Sequence, residues 1–403
     1  MIAARRPRVL VLDAQSTEAL ACTRSLGRAG HPVVVAGRTR RPLAAWSRHC
    51  EASYRLSAET LAAFAALRTW ARDHDVGVVL PLSERSCVLC NAERDQWEAE
   101  GIVVGCARDD VLAGAFDKAQ TVLRARLAGV RTPPTHAPTT LAECLDAGAQ
   151  VEYPCVVKPR FSNAWNGTAF LADHGPCYAS DARELEAAVR ARRQGEAWPL
   201  IQGFVEGQGK GVFALCDRGR VVAWFAHERL RDVRPSGSGS SLRRAAPLDP
   251  RLRAPAERLL CEMRWHGPAM VEFRDDGSEE PCLMEVNGRF WGSLQLAIDA
   301  GVDFPRLWLA ILAGEGVGAA PRYREDVVLR WLWGDVKRFL YIVAGRPAGY
   351  PGRYPTIAQG LRELLGAQPP GTRLEAWDPR DPWPALGEWV QGLRDLVARA
   401  GGR

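Results

Sequence analysis

The chain has 403 residues, 47% of them hydrophobic and 25% charged, enough for two or three domains with a sizeable core and incompatible with wholesale disorder. Its formal charge of +6 is the difference between 53 basic and 47 acidic residues scattered along the chain, so no basic run points to nucleic acid as a partner. The longest apolar runs, such as Val9–Leu12 and Val76–Leu80, fall far short of the roughly 20 residues that a membrane-spanning helix needs. Asp13 also interrupts the stretch after the basic N-terminus before it reaches signal-peptide length. These features predict a cytoplasmic protein with neither a membrane nor a nucleic-acid partner.

The first hundred residues alternate β-rich and helical patterns. Strands are expected at Arg8–Asp13, Pro32–Ala36, Val76–Pro81 and Ile102–Gly105, with helices at Thr17–Ala29, Leu61–Asp73 and Glu84–Glu100. This βαβ order predicts a parallel sheet of Rossmann-like topology. The turn after the first strand, Ala14-Gln15-Ser16-Thr17, lacks the glycines of a dinucleotide fingerprint, leaving its crevice to part of a substrate or to nothing. A helix over 108–128 carries Asp117-Lys118, and Thr132-Pro133-Pro134-Thr135 breaks the chain after it. A strand over Val151–Pro159 delivers Lys158, a helix follows at Asp181–Arg193, and Pro199–Gly207 reads as a strand entering a tight turn. Strands at Gly211–Cys216 and Arg220–Glu228 form a hairpin through Asp217-Arg218-Gly219, ahead of a Gly/Ser loop at Ser236–Ser241 and a helix at Ala254–Arg264.

Val271-Glu272-Phe273, a turn at Asp275-Asp276-Gly277, and a returning strand Cys282–Phe290 make a second hairpin. In this register Glu272 and Glu285 sit on neighbouring strands, and Glu285 and Asn287 share a face. Hard oxygen donors so grouped suit Mg²⁺, which takes one or two carboxylates and completes its shell with water and phosphate. The alternative, carboxylates on a solvated or salt-bridged face, is opposed by the apolar flanks Met270, Val271, Phe273, Leu283, Met284 and Val286.

Only four of the 53 basic residues are Lys, at 118, 158, 210 and 337, which draws attention to each place where a compact ammonium has been kept. The 11 Cys read as reduced thiols, and Cys87-x-x-Cys90, without a second pair or a His cluster, reads as buried structural sulfur. No metalloprotease, serine-hydrolase elbow or Walker phosphate-loop spacing occurs.

The order Lys118, Lys158 after a strand, a hinge strand, then Glu272 and Glu285-x-Asn287-x-Arg289 resembles the ATP-grasp superfamily, which includes D-alanine:D-alanine ligase, biotin carboxylase and carboxylate-amine ligases. The resemblance implies an α/β (α+β) ATP-grasp fold. Its parts would be a Rossmann-like pre-ATP-grasp domain over 1–115, a linker helix and lid over 116–205, an antiparallel-sheet catalytic subdomain over 206–320, and a Trp-rich C-terminal extension over 321–403. It implies ATP held by Lys118, Lys158, Gln202, Phe204 and Val205, Mg²⁺ (or Mn²⁺) held by Glu272, Glu285 and Asn287, and Arg289 facing the transferred phosphoryl group. The position that usually offers an acid to the ribose falls at Gly209, so that contact is missing or comes from Glu206 or Gln208, and the loop after Lys158 carries Trp165 where relatives are richer in Gly.

The resemblance further implies an ADP-forming ligase acting on a small-molecule carboxylate and an amine, and is compatible with a homodimer; carboxylation, direct phosphorylation and nucleotide binding without turnover are the other readings. His227, Arg229 and Arg231 alternate along one strand and should share a face. Arg229 and Arg231 are therefore expected to bind the γ-phosphate or an acidic substrate, unless that face is simply solvated. His227 is either a base toward the amine or structural. The Trp-rich tail either packs on the preceding domain or walls the acceptor pocket or a dimer contact.

Overall fold

The structure, a computed structural model, describes residues 6–171, 175–318, 321–347 and 353–401; the first five residues of the basic N-terminus, Met1–Arg5, lie outside them. Five parallel strands, β1 (Arg8–Val11), β2 (Val33–Gly37), β3 (Cys50–Arg55), β4 (Val76–Leu80) and β5 (Val103–Val104), form the first sheet in the order β3-β2-β1-β4-β5. Helices α1 (Thr17–Arg28), α2 (Leu61–Asp73), α3 (Glu84–Ala92) and α4 (Arg94–Ala99) supply crossovers. The unpredicted strand β3 is half-buried and half-exposed residue by residue at the sheet edge, and Cys50-Glu51-Ala52-Ser53-Tyr54-Arg55 therefore carries little hydrophobic signal. The single helix expected over 84–100 is two, broken at Glu93.

The helix expected over 108–128 is likewise two, α5 (Asp109–Phe116) and α6 (Lys118–Leu127). Asp117 between them is extended, and its carboxylate accepts from the Ala119 N–H at 2.9 Å, an N-cap that competes with helix continuity. A second, antiparallel sheet runs β6-β9-β7-β8, from β6 (Thr135–His136), β7 (Cys155–Lys158), β8 (Cys177–Ala179) and β9 (Leu200–Gly203). Helices α7 (Leu141–Val151) and α8 (Ala182–Ala191) pack on it through Cys144, Ala147, Leu185 and Val189. Val151 ends α7 instead of opening the strand: Cys144, Ala147, Gly148 and Val151 form its buried stripe, and Thr140 caps it by accepting from the Glu143 N–H.

The third sheet has seven strands in the order β14-β13-β10-β11-β12-β15-β16. They are β10 (Gln208–Asp217), β11 (Arg220–Arg234), β12 (Ser238–Ala245), β13 (Gly267–Asp275), β14 (Cys282–Asn287), β15 (Val328–Arg330) and β16 (Arg373–Leu374), with α9 (Pro250–Glu262) packed on β10 and β11. The expected Gly/Ser loop is in fact a turn followed by β12, whose Ser240, Ser241 and Leu242 are buried against its neighbours. Apolar packing is continuous between this sheet and the first, since Leu10, Val34 and Trp97 share a cluster with Trp265 and Phe273. Beyond α10 (Leu294–Ala300) and α11 (Phe304–Leu312), the extension is woven into the same sheet: β15 pairs with β12, and β16 with β15. Its helices are α12 (Leu332–Ala344), packed on β11 and β12, α13 (Ile357–Leu365) and α14 (Trp383–Gly401). Among the described residues no helix is long and apolar enough to cross a membrane. All 11 cysteines are free thiols, and burial raises the pKa of Cys90 far above that of a reactive thiol, with Cys87, hydrogen-bonded to Cys106, raised likewise.

Candidate active site

A cleft of about 900 Å³ opens between the β13–β14 hairpin, the second sheet, the β1–α1 turn and the C-terminal helices. On its floor β13 and β14 run antiparallel with Glu272 opposite Glu285 and Met270 opposite Asn287. The Asn287 amide donates to Oε1 of Glu272 at 3.3 Å and of Glu285 at 3.4 Å. Two carboxylate oxygens thus converge on one donor group. Arg229 on β11 reaches across to Oε2 of Glu272 at 3.2 Å. Burial and the facing charge of Glu285 push the Glu272 carboxyl up, while Arg229 and Lys158 pull it back. The donor set fits a hard divalent cation: two carboxylates and an amide, all able to present oxygen. Among the described residues no group of three or more His, Cys, Asp or Glu is poised to hold a metal, so such an ion would need to complete its shell with phosphate oxygens and water.

Gly288 lets β14 leave the floor. A Cβ there would stand 2.4 Å from the Trp265 ring, and the close approach carries Arg289 into the cleft, where it faces Glu18 of α1 and donates to the Phe290 carbonyl at 2.8 Å. Lys158, at the end of β7, enters from the opposite side and donates to the Met284 carbonyl at 3.1 Å. Beside it, Val156, Tyr178, Phe204, Val205 and Met284 line a mainly apolar slot, with the Tyr178 and Phe204 rings edge to face at 5.7 Å. Gln202 is buried at the back of this slot, and its amide N–H donates to Thr135 Oγ1 at 2.9 Å. Gly209 lines the cleft with open space around its Cα, whereas Glu206 and Gln208 do not reach it.

Two expected residues are elsewhere. Lys118 does not line the cleft; its Nζ donates to Ser162 Oγ at 2.7 Å. Ser162 belongs to the loop after Lys158, which is held against the first sheet's helices by Asn163 bonds to Arg85 at 2.7 Å and Glu84 at 3.0 Å. Trp165 packs on Phe170 within that loop, centroids 4.7 Å apart. Arg231 is the second. Strand β11 bulges between Arg229 and Arg231, and one extra residue reverses the alternation. The three side chains therefore do not share a face. Arg231 instead meets buried Asp335 of α12 at 2.7 Å and Gln368 at 3.1 Å. Arg231→Ala is expected to lower stability by about 1–3 kcal/mol through that lost charged hydrogen bond; thermal melting checks it.

His227 does line the cleft, stacked on Phe213 at 4.7 Å and bonded to Ser293 Oγ at 3.0 Å. Burial, with Arg243 and Arg229 nearby, depresses its pKa to about 3, so it stays neutral and is a poor proton store at neutral pH. The remaining walls were named in the sequence only as the β1–α1 turn and the Trp-rich tail. Ser16, Thr17 and Glu18 enter from the start of α1, legible as a capped helix start, and Trp331, Trp333, Lys337, Glu388, Gln391 and Asp395 enter from the extension. For these last six, helical spacing along α12 and α14 was the only available signal.

Residues 198–334 match a sequence family described as ATP-grasp in the biosynthetic pathway with Ter operon. A search of curated proteins finds no match. Among solved structures, biotin carboxylase from Campylobacter jejuni aligns with a TM-score of 0.63 and 15% identity, covering 79% of this chain and 74% of that one. L-amino acid ligase from Bacillus licheniformis aligns at 0.60 and 18%, covering 81% and 79%. N5-carboxyaminoimidazole ribonucleotide synthetase from Thermus thermophilus aligns at 0.60 and 17%, covering 78% and 81%. The chain thus has the ATP-grasp fold over most of its length, and the segment carrying Glu272, Glu285 and Asn287 matches an ATP-grasp family.

Proposed function

We propose that the protein is an ATP- and Mg²⁺-dependent ligase that activates a small-molecule carboxylate as an acyl phosphate and joins it to an amine, releasing ADP and phosphate. The observation that carries this reading is the convergence of Glu272, Glu285 and Asn287 in one cleft with Lys158, Arg229 and Arg289. The nucleobase lies in the slot between Phe204, Tyr178 and Met284, and Lys158 lies toward the phosphates. Glu272, Glu285 and Asn287 would hold Mg²⁺, which would supply charge neutralisation at the phosphates. A substrate carboxylate oxygen attacks the γ-phosphorus, and the bond to the ADP oxygen breaks. Arg229 and Arg289 offset charge on the transferred group, the main demand of phosphoryl transfer. The amine nitrogen then attacks the acyl carbon, phosphate leaves with the bonding pair, and the nitrogen loses a proton.

The similarity of the L-amino acid ligase fold supports amide formation as the outcome, and that of biotin carboxylase supports ATP as the activating reagent. The test is nucleotide product analysis of the purified chain with MgATP and pooled amino acids, amines and carboxylic acids. ADP and phosphate released only with the pool, with a new amide in the products, are expected. AMP and pyrophosphate would overturn the acyl-phosphate route, and ADP release with carbamate or phosphate-ester products would overturn amide formation.

A further inference from the structure

The end of the cleft away from the apolar slot is built by the C-terminal helices, and its chemistry suits a cation. Three acceptor-bearing side chains of α14, Glu388, Gln391 and Asp395, line it. Their spacing of three and four residues puts them on one helix face. Glu388 is 7% exposed, and its only hydrogen bond among the described residues is from the Trp331 indole N–H, to Oε1 at 2.7 Å. Gln391 spends its amide N–H on the Gln15 carbonyl at 2.9 Å, and its Oε1 is buried without a donor. Trp331 and Trp333 complete the wall, and the Trp331 ring already faces one cation, Lys337 Nζ, at 4.9 Å from its centroid. Trp291 also lines the cleft, and its buried indole N–H has no acceptor among the described residues.

A primary ammonium has three N–H donors and favours aromatic faces. A carboxylate, an amide oxygen and a second carboxylate on one face, beside two indoles, match that requirement. The indole N–H of Trp291 matches an acceptor atom on the same molecule. We propose that Glu388, Gln391 and Asp395 with Trp331 and Trp333 form the subsite for the amine substrate, which binds as a primary ammonium and carries a hydrogen-bond acceptor. This inference rests on the ligase reading and assigns its amine half to the extension.

The site has a pH signature. Burial raises the Glu388 carboxyl to about 7, against the opposing pull of Lys337 on α12, Arg24 on α1 and Arg243 on β12. Glu375, itself raised to about 7 by burial and then by Glu388 and Glu18, and paired with Arg243, adds like charge from the segment after β16. An alkylammonium of pKa near 10 stays charged throughout the neutral range. Binding therefore draws on ionised Glu388, so affinity should rise about tenfold from pH 6 to pH 8 as that carboxyl loses its proton.

The experiment titrates the full chain, with MgADP present, with 2-phenylethylammonium chloride, 2-phenylethanol and 3-phenylpropionate, followed by ligand-observed NMR. The cation is expected to bind at least tenfold more tightly than the alcohol, and Glu388→Gln, which keeps an acceptor for Trp331, should remove most of that preference. Should that variant fail to fold, Asp395→Asn at the exposed end of the face should weaken the cation about threefold or more. Equal binding of cation and alcohol, a preference for the anion, or a cation preference untouched by these variants would overturn the subsite. The ligase reading is scored separately by nucleotide products: cation binding that survives in a chain yielding no ADP would leave the subsite standing and remove the ligase.

Discussion

Glu285→Gln should abolish ADP formation while leaving the folded chain at least as stable as the parent. Glu285 and Glu272 face each other across β14 and β13, and both are partly buried. Like charges directly opposite on antiparallel strands destabilise a sheet, and the raised pKa of Glu272, driven by burial and then by Glu285, reports that repulsion. Neutralising one member removes it, and the Asn287 amide retains a carbonyl oxygen to donate to. The same change deletes one of the two anionic donors proposed for Mg²⁺, and loss of a single preorganised electrostatic contact in a transition state commonly costs about 10²–10³ in turnover, or roughly 3–4 kcal/mol. Single-turnover ADP release and a thermal melt on the same preparation check both halves. A variant that keeps full activity would remove Glu285 from the metal site. One that loses activity only by unfolding would show the pair to be structural, a separation rarely available when a functional group is also a packing group.

Asp381→Ala should be among the most destabilising single changes in the molecule. Asp381 is fully buried where the extension meets the first sheet, and it accepts from Arg24 Nε at 2.9 Å, Ser47 Oγ at 2.7 Å and the Arg48 N–H at 2.8 Å. Burial alone would raise its carboxyl, but the Arg48 backbone N–H, Arg24 and Ser47 outweigh it and hold the group below the ordinary aspartate value. Removing it leaves the Arg24 guanidinium buried with only carbonyls of Glu375, Ala376 and residue 381 for company. An uncompensated buried charge of this kind costs about 3–5 kcal/mol. Because the folded pKa is depressed, the contribution is present above the unfolded aspartate pKa and is lost as pH falls through the folded one. The stability gap between wild type and variant, followed by urea denaturation, should therefore be full at pH 7 and shrink below about pH 4. A gap independent of pH would show that packing, not the carboxylate, holds the extension in place. The extension also supplies Glu388 and Asp395 to the cleft, so partial loosening should weaken ammonium binding at the proposed subsite before it affects nucleotide binding.

Much of the site was legible from local pattern. Glu272, Glu285 and Asn287 were readable as neighbours because a strand has a period of two, although a bulge between Glu272 and Phe273 is what sets Glu285, and not Met284, opposite Glu272. Lys158 was readable because a strand ends on it. Two residues stand away from the cleft, each for a local reason. Arg231 left the face of Arg229 because β11 carries a bulge, a one-residue insertion with no signature in Arg-Leu-Arg-Asp. Lys118 was tied to Ser162 because Asp117 breaks the helix and takes Arg160, drawing the following loop with it.

The chain's own order of residues determined the alternation of strands and helices in the first sheet, the β13–β14 hairpin and the oxygen donors it carries, since each depends on neighbours within a few positions. Only the tertiary structure decided that α12 and α14 wall the cleft, that the β1–α1 turn meets them through Gln15 and Gln391, and that Glu388 lies buried between Trp331 and open space. The contacts that place those groups join residues more than 50 positions apart, as between Trp331 and Glu388, or more than 300, as between Arg24 and Asp381. Their geometry is set by sheet pairing and buried ion pairs, and neither leaves a periodic trace in the segments it joins.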